Sequence, residues 1–396
     1  MTALVAIPFF VYNQLGGEEA MSGAFGAGQM GAYALSCMVA ARMVHRARNG
    51  IHWAMKALVV FALVLCAMPL FRVPWLCGLM VAAAFSCQAF VWPALHSWVG
   101  AEPDPARRTR HMGWFNLSWS FGFALSPLYT GPLVDIDYRL SFVALFVLCA
   151  AGFLLLWSLP HERDYFGVVT AEQLDARADH DRLSEIHLYY AWFATFLANV
   201  LAGITRMVYP KRVKDLVADE ALRLFWEDAP LEFLTSGAAT KYSWLAAGLA
   251  LATSLSFLAF GKWKFWRHSF AFLMGMELAA GLAFWFLGHT TSLFVMMLAF
   301  VIVGAMLGAA FFASVYYSLS NPDLKHRRAT INEAAVGLGG FLGSIVFGQL
   351  VARYGVAHPY HAMPLVILAC VVVQWLLLRH GAARFRRLQA RAKSAA

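Results

Sequence analysis

Apolar runs of about twenty residues recur along nearly the whole chain, parted by short polar loops, and that is the length an α-helix needs to cross a bilayer. The runs cover 1–15, 22–44, 52–71, 75–98, 111–134, 138–159, 187–209, 238–260, 267–288, 290–318, 329–353 and 358–379. Backbone N–H and C=O groups inside hydrocarbon have no water to bond, so the runs must be helices. None alternates apolar and polar residues in the manner of a barrel strand. Composition agrees: of 396 residues 61% are hydrophobic and 13% charged, where a soluble domain carries roughly 25% charged residues. The expected fold is an all-α polytopic membrane protein with twelve transmembrane helices.

The loops fall into two sets by charge. One set holds HRARN (45–49), PARRTRH (105–111), GKWKFWRH (261–268), LKHRR (324–328) and the tail RFRRLQARAK (384–393). The other set contains only two arginines in its short loops, Arg72 and Arg139. Basic loops stay on the cytoplasmic side. This puts both termini in the cytoplasm, and a cell (inner) membrane is the expected location. The net charge of +9 is thereby a statement of topology and gives no reason to expect nucleic acid. The basic tail at 380–396 also suits anionic membrane lipid.

A shift of 218 positions carries the second to sixth runs onto the eighth to twelfth, and places Arg110 on Arg328, Gly122 on Gly340, Phe123 on Phe341 and Ser126 on Ser344. A constant offset over five helix pairs marks an internal repeat. The chain divides into a six-helix half at 1–159, a cytoplasmic linker at 160–187, a second half at 188–379 and the tail. Residues 211–237 lie outside and are expected to hold a short amphipathic helix ended near Pro230. The repeat also aligns YPKRVKDL of the seventh run with PFFVYNQL of the first, yet only seven residues precede Pro8. The first helix is expected to be truncated, with its missing half upstream of Met1.

Two six-helix halves, a cytoplasmic linker and termini on one side resemble the major facilitator superfamily of secondary transporters. The local motifs match in part. The family's signature between helices 2 and 3 is a Gly, then Asp-Arg, then Gly-Arg. Here Ala41 stands for the first Gly, His45 for the Asp, Arg48 for the second Gly, and Arg46 matches. Gly122, Pro127 and Gly131 resemble a glycine–proline motif of antiporters, with Ser126 in place of a glycine, and Gln88 stands near the depth of the family's basic residue in helix 4. The resemblance implies a central cavity lined by helices 1, 4, 7 and 10 with help from 2, 5, 8 and 11. It also implies alternating access, no cofactor, and a chain expected to act as a monomer.

The sequence itself shows polar stripes at helical spacing. They are Gln88, Trp92 and His96; Asn116, Trp119, Ser120 and Phe123; Trp192, Thr195, Asn199 and Arg206; Gln29, Tyr33 and Ser36; and Ser314, Tyr316 and Tyr317. Two readings fit them. Amides, hydroxyls and rings can wall a cavity for a small organic solute, or the same groups can bond helix to helix. Charged residues inside spans are functional candidates by default. Glu277 lies about ten residues, roughly 15 Å, into its run and is a proton-coupling candidate or a structural hydrogen-bonding acid. Glu333, one turn into its run, is a second; it is expected to pair with Arg46 in place of the acid lost at His45. His45, Arg46, Arg110 and Arg328 form the candidate cytoplasmic gate. Arg206 is placed near the outer end of its helix and is expected to snorkel, the alternative being contact with an anionic group. Small residues at Gly23, Ala27 and Gly31, at Gly122 and Ser126, at Gly248, Ala252 and Ser256, and at Gly339, Gly343 and Gly348 are expected to let helices 2, 5, 8 and 11 approach across the interface between halves.

Six cysteines lie in apolar stretches without a CxxC pair, and the thirteen histidines are scattered, so no metal site is expected. HERD at 161–164 has no partner cluster, and no HExxH, Walker or GxSxG motif occurs. The sequence therefore points away from an enzyme and towards a secondary transporter of a small organic solute, with a proton as the expected coupling ion. The alternative is a transporter-like sensor or a membrane-embedded lipid-modifying enzyme.

Overall fold

The structure is a computed structural model that describes residues 2–44, 50–100, 105–158, 178–223, 237–319 and 325–395. Among these residues the chain forms twelve helices in two sets of six. The first half holds α1 (Thr2–Gln14), α2 (Glu19–Val44), α3 (Gly50–Ala67), α4 (Pro74–Gly100), α5 (Pro105–Ile136) and α6 (Tyr138–Trp157). The second holds α7 (Ala178–Gly203 with an outward extension, Tyr209–Ala218), α8 (Ala238–Lys262), α9 (Phe270–His289), α10 (Leu293–Leu319), α11 (Lys325–Tyr354) and α12 (Ala357–Ala395). Nine helices among the described residues are long and apolar enough to cross a membrane. At 1.5 Å per residue the 13 residues of α1 reach about 20 Å, short of the ~30 Å hydrocarbon core.

Burial separates central from peripheral helices. In the most apolar window of α7, 72% of residues are buried, and in α10 61%, against 22% in both α6 and α12. The outer faces carry Leu35, Leu154, Leu155 and Leu365, each exposed by 64% or more, as a surface solvated by lipid requires. Polar caps start two of the helices: Asp137 accepts from the N–H of Arg139, and Ser269 accepts from that of Phe272.

The halves meet along two helix pairs, α2 with α11 and α5 with α8. Small residues set the first pair. A Cβ on Gly23 or Gly348 would strike backbone of the opposing helix, and one on Gly337 would strike Ala34. The small-residue stripes do not all face where the sequence reading put them. Gly339 and Gly343 pack on the carbonyls of Phe196 and Val200 in α7, and Gly248 packs on Met297 in α10, all within the second half. Close approach of α5 to α8 falls instead at Gly131, which lies on Ser243 and Ala239.

The seventh helix also differs from expectation. It does not end near residue 209 but passes through a π turn, Ile204–Val208, into ten further residues. Pro210 explains the turn. It has no N–H for the carbonyl four residues earlier, Arg206, and its ring crowds that carbonyl. Widening to i→i+5 bonds relieves the clash and leaves carbonyls for other donors.

Candidate functional site

The π turn sits where the two halves converge. Its Met207 carbonyl accepts from the Tyr12 hydroxyl of α1 at 2.7 Å and from the Ser22 hydroxyl of α2 at 2.6 Å, and its Thr205 carbonyl accepts from the Tyr242 hydroxyl of α8 at 3.0 Å. Both halves are thus bonded to one turn of α7 on the side away from the basic loops. On the same side Asp135, near the end of α5, accepts from the backbone N–H groups of Ala239 and Thr240 at the start of α8.

Beneath this seal lies a cavity of about 10 Å³ walled by Leu4, Gln29, Met30, Asn199, Arg206 and Ser344 with neighbouring backbone. That is room for about one water. The wall draws on both halves, and its polar groups are incompletely satisfied. Gln29 Oε1, Ser344 Oγ and Arg206 Nε are buried without a hydrogen-bond partner among the described residues. The Asn199 amide donates back to the Thr195 carbonyl at 2.9 Å. Arg206 lies over the Phe123 ring at 5.4 Å. Phe123 is thirteen residues, about 20 Å, from the outer end of α5, so the guanidinium is deep and does not snorkel. The sequence reading missed this because it ended the helix too early; Pro210 was the available signal.

Two expected cavity residues, Gln29 and Asn199, therefore meet at the centre. Trp92 and Trp119 join an aromatic wall towards the basic side. Trp119 stacks on Phe123 at 5.8 Å and 10°, meets Trp92 edge-on at 6.1 Å, and touches Phe257 of the second half at 5.4 Å. The remainder of the α7 stripe is tied into helix–helix bonds. Trp192 donates to Ser318 at 2.8 Å, while Thr195 lies 2.9 Å from the Ala310 carbonyl and 2.8 Å from the Ser314 hydroxyl, which donates to Asn332. Tyr317 is fully buried in a cluster with Tyr190 and Trp266, where its hydroxyl accepts from the His268 N–H, and it does not line the central cavity. Gln88 is half-buried on α4.

Glu333 does reach across to the first half. Its carboxylate accepts from the Tyr33 hydroxyl at 2.9 Å. Arg328 is ion-paired with Glu185 of α7, inside its own half. Glu277 sits between α9 and α12, away from the centre, and accepts from the Gln374 amide at 2.8 and 2.7 Å. His45 and Arg46 lie outside the described residues, as do the side chains of His96, Arg110 and Asn116.

The fold has counterparts among known proteins. The profile of the Major Facilitator Superfamily matches residues 1–222, more than half of the chain. The chain belongs to the major facilitator superfamily. No curated protein matches it individually. Among solved structures it is similar to the nucleoside transporter NupG, at 14% identity and a TM-score of 0.69 over 97% of this chain and 95% of that one. It is also similar to a bacterial homologue of the human lysosomal transporter Spinster, inward-facing and unoccupied, at 16% identity and 0.70 over 98% and 94%. A POT family transporter in complex with a thioalcohol-conjugated peptide gives 14% and 0.68 over 96% and 93%. At such identities the likeness is one of fold. With the family it makes this major facilitator protein a multi-pass membrane transporter and not an enzyme.

Proposed function

We propose that the chain is a secondary active transporter that moves a small organic solute by alternating access, with a proton as coupling ion. One observation carries the reading. Polar groups of both halves, Gln29 on one side and Asn199, Arg206 and Ser344 on the other, converge deep in the bundle around a nearly closed cavity. Polar groups are costly at such depth unless they serve a ligand or each other, and several of these have no partner. The contacts that close the outer side are hydrogen bonds between halves, a kind that can be exchanged for water as the halves rock apart.

Proton coupling rests on Glu333, whose carboxylate meets Tyr33 between the halves, with Glu277 as the second candidate. Basic loops point to an inner membrane with both termini in the cytoplasm. The monomer, with halves at 1–159 and 188–379 joined by the linker, is the unit of transport. Solute counterflow in proteoliposomes holding the purified chain tests the reading, with sugars, organic acids, nucleosides and peptides offered with and without a pH gradient. Exchange of one class, accelerated by the gradient, is the expected result. No exchange of any class would overturn it.

A further inference from the structure

The substrate class is narrowed by Arg206. A guanidinium stays protonated at any physiological pH, so this residue brings a permanent positive charge deep into the bundle. Structural arginines at such depth carry a countercharge. Arg206 has neither an ion-pair nor a hydrogen-bond partner among the described residues, and its Nε is buried. Its neighbour is the Phe123 face at 5.4 Å, which orients the fork without neutralising it. Gln29 and Ser344, on the wall of the same cavity, have unpartnered polar atoms as well.

From Phe123 an apolar surface runs on through Trp119 and Phe257 to Phe311, whose ring lies 5.9 Å from that of Phe257. Both halves contribute to it. A ligand that satisfies all these groups carries an anionic end for the guanidinium and a flat apolar body for the rings. We propose that Arg206 anchors the carboxylate of the transported solute, and that the solute is a small planar organic acid lying along the Phe123–Trp119–Phe257 wall. This rests on the transporter reading and gives that site its substrate class.

The test uses the full chain in nanodiscs, with naphthoate as probe and naphthamide, its neutral isostere, as control. Tryptophan quenching and thermal stabilisation read binding. Naphthoate is expected to bind the wild type at least about tenfold more tightly than naphthamide, the difference one charge-assisted fork is worth. Arg206→Gln removes that preference. Arg206→Lys keeps the charge but not the planar fork, and retains part of the preference. Phe123→Leu weakens both probes. Equal binding of the two probes by the wild type overturns the proposal, whether or not the variants fold. So does an undiminished preference in Arg206→Gln, or no binding of naphthoate up to about 10 mM, the limit of a meaningful affinity. Counterflow of the same probes separates the two readings. Arg206-dependent binding without exchange overturns transport and leaves the anion site. Exchange of naphthoate that is equal in wild type and Arg206→Gln leaves transport and overturns the anion site.

Discussion

Asp135 offers the sharpest test of how the halves are held. Its carboxylate, at the outer end of α5, accepts from the N–H of Thr240 at 2.8 Å and of Ala239 at 3.2 Å. The first half thereby caps a helix of the second. N–H groups in the first turn have no acceptor within their own helix, and loss of a capping side chain costs roughly 0.5–2 kcal/mol. Asp135 is exposed, so water compensates in part, and about 1 kcal/mol is the fitting value. Any state in which α5 and α8 part on this face must give up both bonds. Asp135→Ala is therefore expected to raise the population open on this face about fivefold, since 1.4 kcal/mol is about tenfold. Asp135→Asn keeps an acceptor without the charge and is expected to shift it about twofold. The assay is spin-label distance measurement between Val73 and Asp219, both exposed and in opposite halves, in a chain whose six cysteines are replaced. Identical distance distributions in wild type and Asp135→Ala, with the variant folded, would refute the reasoning and leave Asp135 as a cap without a latch.

Three further outcomes follow from the packing. Gly343→Leu forces a side chain onto the Val200 carbonyl and should lower Tm by several degrees, overpacking costing about 1–3 kcal/mol; Gly275→Ala, with nothing within 4 Å of its Cβ, should not. Glu277→Ala strands the buried Gln374 amide and is expected to cost about 1–2 kcal/mol of stability, whereas Glu277→Gln costs less; pH-driven uptake that survives Glu277→Gln removes Glu277 as proton carrier. Tyr33→Phe and Glu333→Gln in a double-mutant cycle should show a coupling of about 0.6–1.7 kcal/mol, and Glu333→Gln alone should abolish stimulation by a pH gradient while exchange persists; additive effects would dissolve the pair.

The architecture was legible because a membrane writes it in the coarsest terms, helix-length apolar runs and basic loops. The repeat was legible for the same reason, and four of its eight matched residues bear on the interface or the central cavity. Gly340 and Ser344 wall the central cavity, Phe341 packs on Gly31, and Phe123 lies over Arg206. Legibility stopped where a neighbour decides. Spacing of small residues announces a close approach but not the partner, which is why Gly343 meets α7 and not the other half. The polar stripe of α7 divided likewise: Asn199 turns to the cavity, and Thr195 four residues earlier turns to Ala310 and Ser314. The extension at Tyr209–Ala218 falls within the stretch expected to hold a short amphipathic helix, but the lysines and arginine in YPKRVKDLVA set it apart from the apolar run of α7, so its continuity with that helix was not legible. Burial of Tyr209, Pro210, Val213 and Leu216 against other helices makes it helix.

The π turn links the site to the seal. It lies directly before Pro210, and its Met207 and Thr205 carbonyls accept from Tyr12, Ser22 and Tyr242. Arg206 stands between the two acceptor carbonyls, Thr205 and Met207. The Arg206 side chain leaves the same backbone turn whose Met207 carbonyl holds α1 and α2. A seal built on side chains alone would lack this connection. Binding at the centre and closure of the outer face thus meet in one turn of α7, since the helix that carries Arg206 into the cavity wall also presents the acceptor that both Tyr12 and Ser22 require.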